Sequence, residues 1–387
     1  MSTMKSSQHK LHVLVDTKNL ALYSGGISGF FKPLLLSWVS SRPEIQFSLV
    51  SPMFNLGVLN SLPNCRFHEV PWPSKLPRAM RHPFYDNFIF PRSIRRIQPD
   101  FVFTPYHDVR LPKKIPSVMT IHDTCFSDLP HVYPLRIRAY YLHMLRRNLK
   151  RVSHVVTVSE SSKKAISSLY GLNTNKISVI PNCTKVFDCR LQEDVQVAAN
   201  KLKADDVGVL KVFYVGGSDF RKNIGKLLEA VKILIFDRKI KAKLAIAGEQ
   251  DAGWERELAK IPIAIHENIV FLGRIDQSQL VAHYQASDVV VYPSLGEGFG
   301  RVGLEAMELG VPLACSDLPV LHEVLGDYPE YFNPLRVEEI VESIIRAAAK
   351  GRVAPKRDDR FDPIRVQQLF IQTMDNLLMT AVNRAKS

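Results

Sequence analysis

Tyr292-Pro-Ser-Leu-Gly-Glu-Gly-Phe-Gly-Arg-Val-Gly-Leu-Glu305 decides the reading of this chain. Two carboxylates, Glu297 and Glu305, stand eight positions apart around a glycine-rich turn. The apolar run Val289-Val-Val-Tyr292 precedes it, and the helical run Leu304-Glu-Ala-Met-Glu-Leu309 follows, with Gly310 as its expected C-cap. Strand, glycine turn and helix N-terminus together make a site for an anionic group, because free backbone N–H groups and the helix dipole converge there. The carboxylates cannot serve the anion itself. They suit hydroxyl groups on either side of it, as in a nucleotide-sugar with its sugar, diphosphate and ribose.

The same segment holds a decoy. Gly298-Phe-Gly300-Arg-Val-Gly303 matches the dinucleotide fingerprint, and Asp317 follows the next apolar run, Val311-Pro-Leu-Ala-Cys315. A lone match of this kind is weak. Here the strand ends well before the first glycine, the helix is about two turns long, and two acids crowd the place a pyrophosphate needs clear.

Working outward, short apolar runs alternate with longer amphipathic stretches. Residues 11–15, 47–50, 101–103, 117–121 and 155–158 read as buried strands with helical connections. Residues 212–215, 243–247, 269–272, 289–292 and 311–314 repeat the pattern. It predicts an α/β protein with two facing, Rossmann-like, doubly wound parallel sheets. With 387 residues the chain is long enough for two such domains. The expected boundaries are a first domain over 1–183, a linker over 184–208, a second domain over 209–361 and a closing helix over 362–387.

The glutamate pair resembles the signature of retaining glycosyltransferases with the GT-B fold, family 4 in particular. Other segments share the resemblance: Leu14-Val-Asp16 with Ser24-Gly-Gly-Ile-Ser-Gly29, Thr120-Ile-His-Asp123, Val155-Val-Thr-Val-Ser-Glu160 and Val179-Ile-Pro-Asn182. In the second half Phe213-Tyr-Val-Gly216 with Arg221-Lys-Asn223, Ala245-Ile-Ala-Gly248, Val270-Phe-Leu-Gly273 and Ser287-Asp288 follow in family order. The match runs over roughly residues 11 to 335. It departs from the commonest pattern at Gly217, where an arginine usually follows the strand's glycine, and at Cys183, where glycine usually follows Pro-Asn. In the family the closing helix returns to the first domain.

The resemblance implies roles residue by residue. Glu305 accepts from the ribose hydroxyls, and Glu297 from hydroxyls of the transferred sugar. Gly298, Phe299 and Gly300 offer backbone amides to that sugar, with Arg301 and Val302 opening the helix beneath the donor. Arg221 and Lys222 neutralise the departing diphosphate, with Gly217 beside it; Gly25 and Gly26 bring amides near the same group. His122 faces the donor sugar. Without it, Glu305 would be read as an acid at a helix N-terminus, Arg221 and Lys222 as an exposed pair, and His122 as structural. Ser159 and Glu160 read as caps of the following helix.

Composition bounds the rest. Residues 1–10 are polar and carry no apolar core for a signal peptide. Five scattered cysteines, Cys65, Cys125, Cys183, Cys189 and Cys315, lack metal-ligand spacing and fit reduced thiols of a cytosol. No Asp-x-Asp or His-Glu-x-x-His occurs, so no metal site and no cofactor is expected beyond the donor itself. Net charge is +13. Between Lys75 and Arg96 six basic residues stand against one acid, Asp86, among Trp72, Phe84, Tyr85, Phe88, Ile89 and Phe90. Between Arg136 and Arg151 six more stand with no acid, interleaved with Tyr140, Tyr141, Leu142 and Leu145. Such a surface suits anionic membrane; a solvated face or another polyanion is the plainer alternative, and nucleic acid is not the expected partner.

The expected function is metal-independent, retaining transfer of a hexose, mannose from GDP-mannose, to a lipid-linked or surface-polysaccharide or lipopolysaccharide acceptor at the inner face of the membrane. The alternatives are a nucleotide-sugar epimerase of the same architecture and a non-enzymatic polyanion binder.

Overall fold

The computed structural model describes residues 10–386 apart from 23–26, 54–56, 185 and 205–206; for 21, 22, 27, 28, 60, 187 and 384–386 it describes the backbone alone. Two parallel sheets form the frame. The first runs in the order β3-β2-β1-β4-β5-β6-β7, from β1 (His12–Asp16), β2 (Gln46–Ser51), β3 (Cys65–Glu69), β4 (Phe101–Thr104), β5 (Ser117–Thr120), β6 (His154–Thr157) and β7 (Ile177–Val179). The second runs β10-β9-β8-β11-β12-β13, from β8 (Leu210–Val215), β9 (Ala242–Ala247), β10 (Ile269–Gly273), β11 (Val289–Tyr292), β12 (Leu313–Ser316) and β13 (Glu330–Phe332). This is the GT-B arrangement of two doubly wound domains. β4, β5, β11 and β12 are buried at every position, which is why they read as unbroken apolar runs.

Three strands escaped the sequence reading. β3 lies at the sheet edge with an uneven burial pattern, and β7 and β13 are three residues each, too short for a period to show.

The stretch 184–208 carries structure. Val186, Val195 and Ala199, on helices Val186–Cys189 and Glu193–Ala204, are buried in the core of the second domain against Val281 and Ala282. The last helix, Pro363–Lys386, buries Val366, Phe370, Met374 and Leu378 in the core of the first domain with Phe31, Trp38 and Phe103. Trp38 and Phe370 meet edge to face at 6.0 Å, and Trp38 Nε1 donates to Asp375 at 2.9 Å. Burying side chains of this size stabilises by roughly 1.5–3 kcal/mol each.

In both sheets the strand order reverses between neighbouring strands, β1 with β4 and β8 with β11. Crevices open outside the carboxyl ends of strands at such reversals. The two glycine-bearing segments of the second domain leave the sheet there, after β8 and after β11.

Candidate active site

Leaving β8, the chain turns at Asp219, whose side chain accepts from the Arg221 amide at 3.0 Å and fixes the short 3-10 turn Phe220–Lys222. Asn223 then takes a left-handed conformation, with φ 56°, and opens helix Ile224–Lys232. Arg221 and Lys222 therefore project together across the crevice toward the turn that follows β11. The Arg221 carbonyl accepts from the Leu295 amide at 2.7 Å, which ties the two loops directly.

Glu297 sits between the two cations. Lys222 Nζ lies 2.7 Å from one carboxylate oxygen and Arg221 Nη1 2.8 Å from the other. Only 8% of the Glu297 side chain is exposed. Burial would raise its carboxyl pKa, but Lys222 and Arg221 outweigh burial and hold it at about 2. Burial and the like charge of Arg221 push the Lys222 ammonium down, against the pull of Glu297. Asp219 also pairs with Arg221, at 3.5 Å, so both cations are matched by carboxylates, and Lys222 also stands 5.1 Å over the Tyr292 ring. The sequence roles place the sugar at Glu297 and the diphosphate at the cations. The structure puts all three groups in one cluster.

Two glycines make the turn possible. At Gly298 a Cβ would lie 1.9 Å from the carbonyl oxygen of His122, so only glycine lets the two domains touch there. Gly300 caps the next helix with φ 99°, a left-handed conformation. Phe299 turns its ring into the core, edge-on to Phe361 at 5.1 Å.

Glu305 lies in the second turn of helix Arg301–Glu308, buried, as the spacing from Glu297 requires. Tyr284 Oη donates to it at 2.8 Å and Arg301 at 3.2 Å. Next to it a cavity of about 260 Å³ opens between the domains, lined by Arg301, Glu305, Ile275, Asp276, Phe30 and Thr184. Val302 is partly buried against the second-domain core. Gly217 follows β8 with its carbonyl accepting from Tyr214 Oη at 3.1 Å. Glu308, one turn on, bonds to Thr184 and is pushed up to about 7 by burial.

His122 belongs to the opposite wall, after β5. Its Nε2 lies 2.9 Å from the Pro105 carbonyl, which assigns the proton to that nitrogen. The ring meets Phe31 edge-on, and burial lowers its pKa to about 4, so the imidazole is neutral near pH 7. Gly25 and Gly26 lie outside the described residues.

Several site residues were missed in the sequence. Tyr284 hides in a helix with no motif around it. Ser159 does cap helix Glu160–Tyr170, accepting from the Ser162 amide at 3.0 Å. Its hydroxyl also donates to the Gly298 carbonyl at 2.7 Å, a contact across the domain boundary that no local pattern announces. Glu323 of the second domain accepts from the amides of Glu160 and Ser161 at 2.8 and 2.7 Å.

The two basic runs meet on the first domain. Arg92, Arg95, Arg110, Lys113, Lys114 and Arg151 line a cleft of about 900 Å³. Lys113, Arg138, Arg146, Arg147, Lys150 and Arg151 line a neighbouring one of about 1010 Å³. The segment 110–114, outside both runs, bridges them. The aromatic expectation needs correction: Tyr85 and Phe90 are fully buried, because they complete the core under β1 and β4, and Asp86 is buried against Lys18. Met80, Phe84, Phe88, Leu135 and Ile137 are exposed apolar groups in and beside these runs. Among the described residues no helix is long and apolar enough to cross a membrane.

Residues 201–361 match the family model for glycosyl transferases group 1, and residues 44–186 match that for glycosyltransferase family 4. The O-antigen chain mannosyltransferase RfbU of Salmonella typhimurium is 28% identical over 235 residues, 60% of this chain and 60% of that protein. The O-antigen chain mannosyltransferase B of Escherichia coli is 29% identical over 235 residues, 60% of this chain and 61% of that protein. The chain thus spans about three-fifths of the length of these curated relatives. Among solved structures, WaaG, a glycosyltransferase involved in lipopolysaccharide biosynthesis, superposes with a TM-score of 0.67 at 15% identity, covering 96% of this chain and 98% of that one. At that identity the likeness is one of fold.

Proposed function

The chain belongs to the GT-B glycosyltransferases of family 4, and on that premise we propose that it transfers mannose from GDP-mannose, with retention and without a metal, to a lipid-linked or surface-polysaccharide acceptor. The observation that carries the reading is the buried Glu297 carboxylate held between Arg221 and Lys222 at the crevice of β8 and β11. A guanidinium and an ammonium side by side at that place suit a leaving diphosphate. Glu305, beside an interdomain cavity, suits the ribose. The names of the O-antigen mannosyltransferases support mannose as the sugar and a cell-surface glycan as the product.

In the proposed reaction an acceptor oxygen attacks the anomeric carbon while the nucleoside diphosphate leaves from the same face. The C–O bond to the diphosphate breaks as the new glycosidic bond forms, and the leaving phosphate takes the acceptor proton. Arg221 and Lys222 meet the charge that grows on the phosphate. Glu297, released from one of its cations as the diphosphate arrives, turns to the sugar hydroxyls. His122, neutral, closes the first-domain wall. The basic clefts of the first domain face an anionic membrane that carries the acceptor.

The test is a panel of nucleotide-sugars screened for thermal stabilisation and then for transfer. GDP-mannose at a hundred times its dissociation constant is expected to add about 2.7 kcal/mol. Stabilisation by another nucleotide-sugar alone overturns the donor, and consumption of the donor to an epimer without acceptor overturns the transfer.

A further inference from the structure

The first turn of helix Glu160–Tyr170 is held from both domains. Ser159 Oγ accepts from the Ser162 amide at 3.0 Å and donates to the Gly298 carbonyl at 2.7 Å. Ser162 Oγ donates to the same carbonyl at 3.2 Å. Both serines are buried, Ser159 at 1% and Ser162 at 5% exposure. From the other side Glu323 accepts from the Glu160 amide at 2.8 Å, the Ser161 amide at 2.7 Å and the Ser161 hydroxyl at 2.6 Å. Free amides at a helix start need acceptors. Two of these find theirs only while the domains are together.

The bonded carbonyl belongs to the residue directly after Glu297. Fixing it fixes the peptide plane between Gly298 and Phe299, and with it the direction of the Phe299 amide. The same glycine rests against the His122 carbonyl with no room for a Cβ. A glycine turn has many conformations open to it, and three contacts from the first domain select one.

We propose that Ser159, with Ser162, is a positioning residue for the sugar-facing turn, and that Glu323 is the latch that brings it to bear. Ser159 touches no reacting atom. It acts through the Gly298 carbonyl, so Glu297 and the turn amides reach working geometry only when Glu323 docks on the first-domain helix. Opening of the domains releases both ends at once. The nucleotide's contacts at Glu305, Arg221 and Lys222 belong to the second domain and do not depend on the latch. The inference rests on the glycosyl-transfer reading for its kinetic consequence, and on geometry alone for its structural one.

Ser159→Asp separates the two roles of the hydroxyl. Aspartate still accepts from the Ser162 amide and caps the helix, but it cannot donate to the Gly298 carbonyl and repels it. Ser162→Ala removes the second donor and leaves the cap intact. Glu323→Gln weakens the latch. In the full-length protein, hydrogen exchange at residues 296–300 is expected to quicken in all three variants. Transfer from GDP-mannose is expected to fall roughly tenfold in kcat for Ser159→Asp, the size of one lost hydrogen bond in the transition state. The dissociation constant for GDP is expected to stay within about twofold, since that contact set is intact. The ratio of donor hydrolysis to transfer is expected to rise in Glu323→Gln. Wild-type exchange at 296–300 in Ser159→Asp overturns the proposal, as does an unchanged kcat in an enzyme that transfers. Should wild type transfer no sugar from any donor, the functional reading fails, and the exchange measurement still decides the latch.

Discussion

Lys222 Nζ and the Glu297 carboxylate meet at 2.7 Å across 75 residues of sequence. The contact joins the loop after β8 to the turn after β11, the two segments that leave the second sheet where its strand order reverses. Arg221 binds the other oxygen, so the pair is asymmetric in charge. A lone buried carboxylate would be costly; two flanking cations make it stable, and Asp219 holds Arg221 from its other side at 3.5 Å.

Lys222→Ala is expected to lower kcat for transfer by roughly a hundredfold, the scale for loss of one preorganised charge at a developing oxyanion. The dissociation constant for GDP should change far less, because the charge Lys222 meets grows in the transition state. Steady-state kinetics beside calorimetry separates the two. Activity should survive EDTA; loss in EDTA restored by magnesium would transfer the diphosphate's neutralisation to a metal.

Glu305→Ala is expected to weaken GDP binding about ten- to a hundredfold. Hydrogen bonds to a charged group are worth roughly 1.5–3 kcal/mol. The substitution also leaves the Tyr284 hydroxyl without its acceptor at 2.8 Å. Tyr284→Phe keeps the carboxylate and should cost GDP affinity less. Equal GDP affinity in wild type and Glu305→Ala, by calorimetry, removes the ribose role.

Gly298→Ala is expected to abolish transfer while the second domain still binds GDP. The added methyl would fall 1.9 Å from the His122 carbonyl oxygen, and a backbone atom cannot step aside as a side chain can. The domains must part to admit it. Small-angle scattering should show a larger radius of gyration than wild type, and a wild-type radius with wild-type transfer would show that the turn closes by another route.

How far the sequence carried varies with distance along the chain. The central strands were legible because burial on both faces removes polar residues from them, as in Val289–Tyr292. Glu297, Glu305, Arg221 and Lys222 were legible because short motifs fix them near glycine turns. What stayed hidden depends on pairing between distant segments. Ser159 gives a capping signal and nothing more, since its second bond reaches residue 298. Tyr284 is an ordinary buried tyrosine until Glu305 is placed beside it. In the basic run 75–96, Tyr85 and Phe90 looked like surface aromatics because charge flanks them, whereas the turn of their helix points them inward.

Acid should destabilise the protein partly through His122. Its folded pKa is lowered to about 4 from an ordinary value of 6.5, so the unfolded chain binds more protons between those values. The contribution is therefore fully present above about pH 6.5 and is lost as pH falls toward 4. Asp16, raised to about 6 chiefly by burial, works in the opposite sense over part of that range. The difference between wild type and His122→Gln isolates the histidine. Denaturant unfolding at pH 4.5 and pH 7 should show a smaller loss on acidification in the variant, and parallel losses would mean that His122 titrates normally.

The two basic clefts predict salt-sensitive binding to anionic vesicles. Each Lys or Arg near such a surface contributes about 1 kcal/mol, and salt screens this over a Debye length of roughly 8–10 Å. Burial and the crowding of Arg110 and Arg151 lower the Arg147 pKa, a like-charge strain that anionic headgroups would relieve. Replacing Arg146, Arg147, Lys150 and Arg151 with serine should reduce co-sedimentation with vesicles containing anionic lipid. It should leave GDP affinity unchanged, because Glu305, Arg221 and Lys222 stand in the other domain. The exposed apolar groups of these runs include Met80 at 54%, Phe88 at 49% and Leu135 at 75%. With Tyr85 and Phe90 buried, insertion is shallow, so binding should fall steeply as salt rises. Paired Phe88→Ser and Leu135→Ser substitutions should therefore cost less than the four charges. Wild type that stays in the supernatant with anionic vesicles at low salt makes these clefts a solvated face, and the acceptor a soluble glycan.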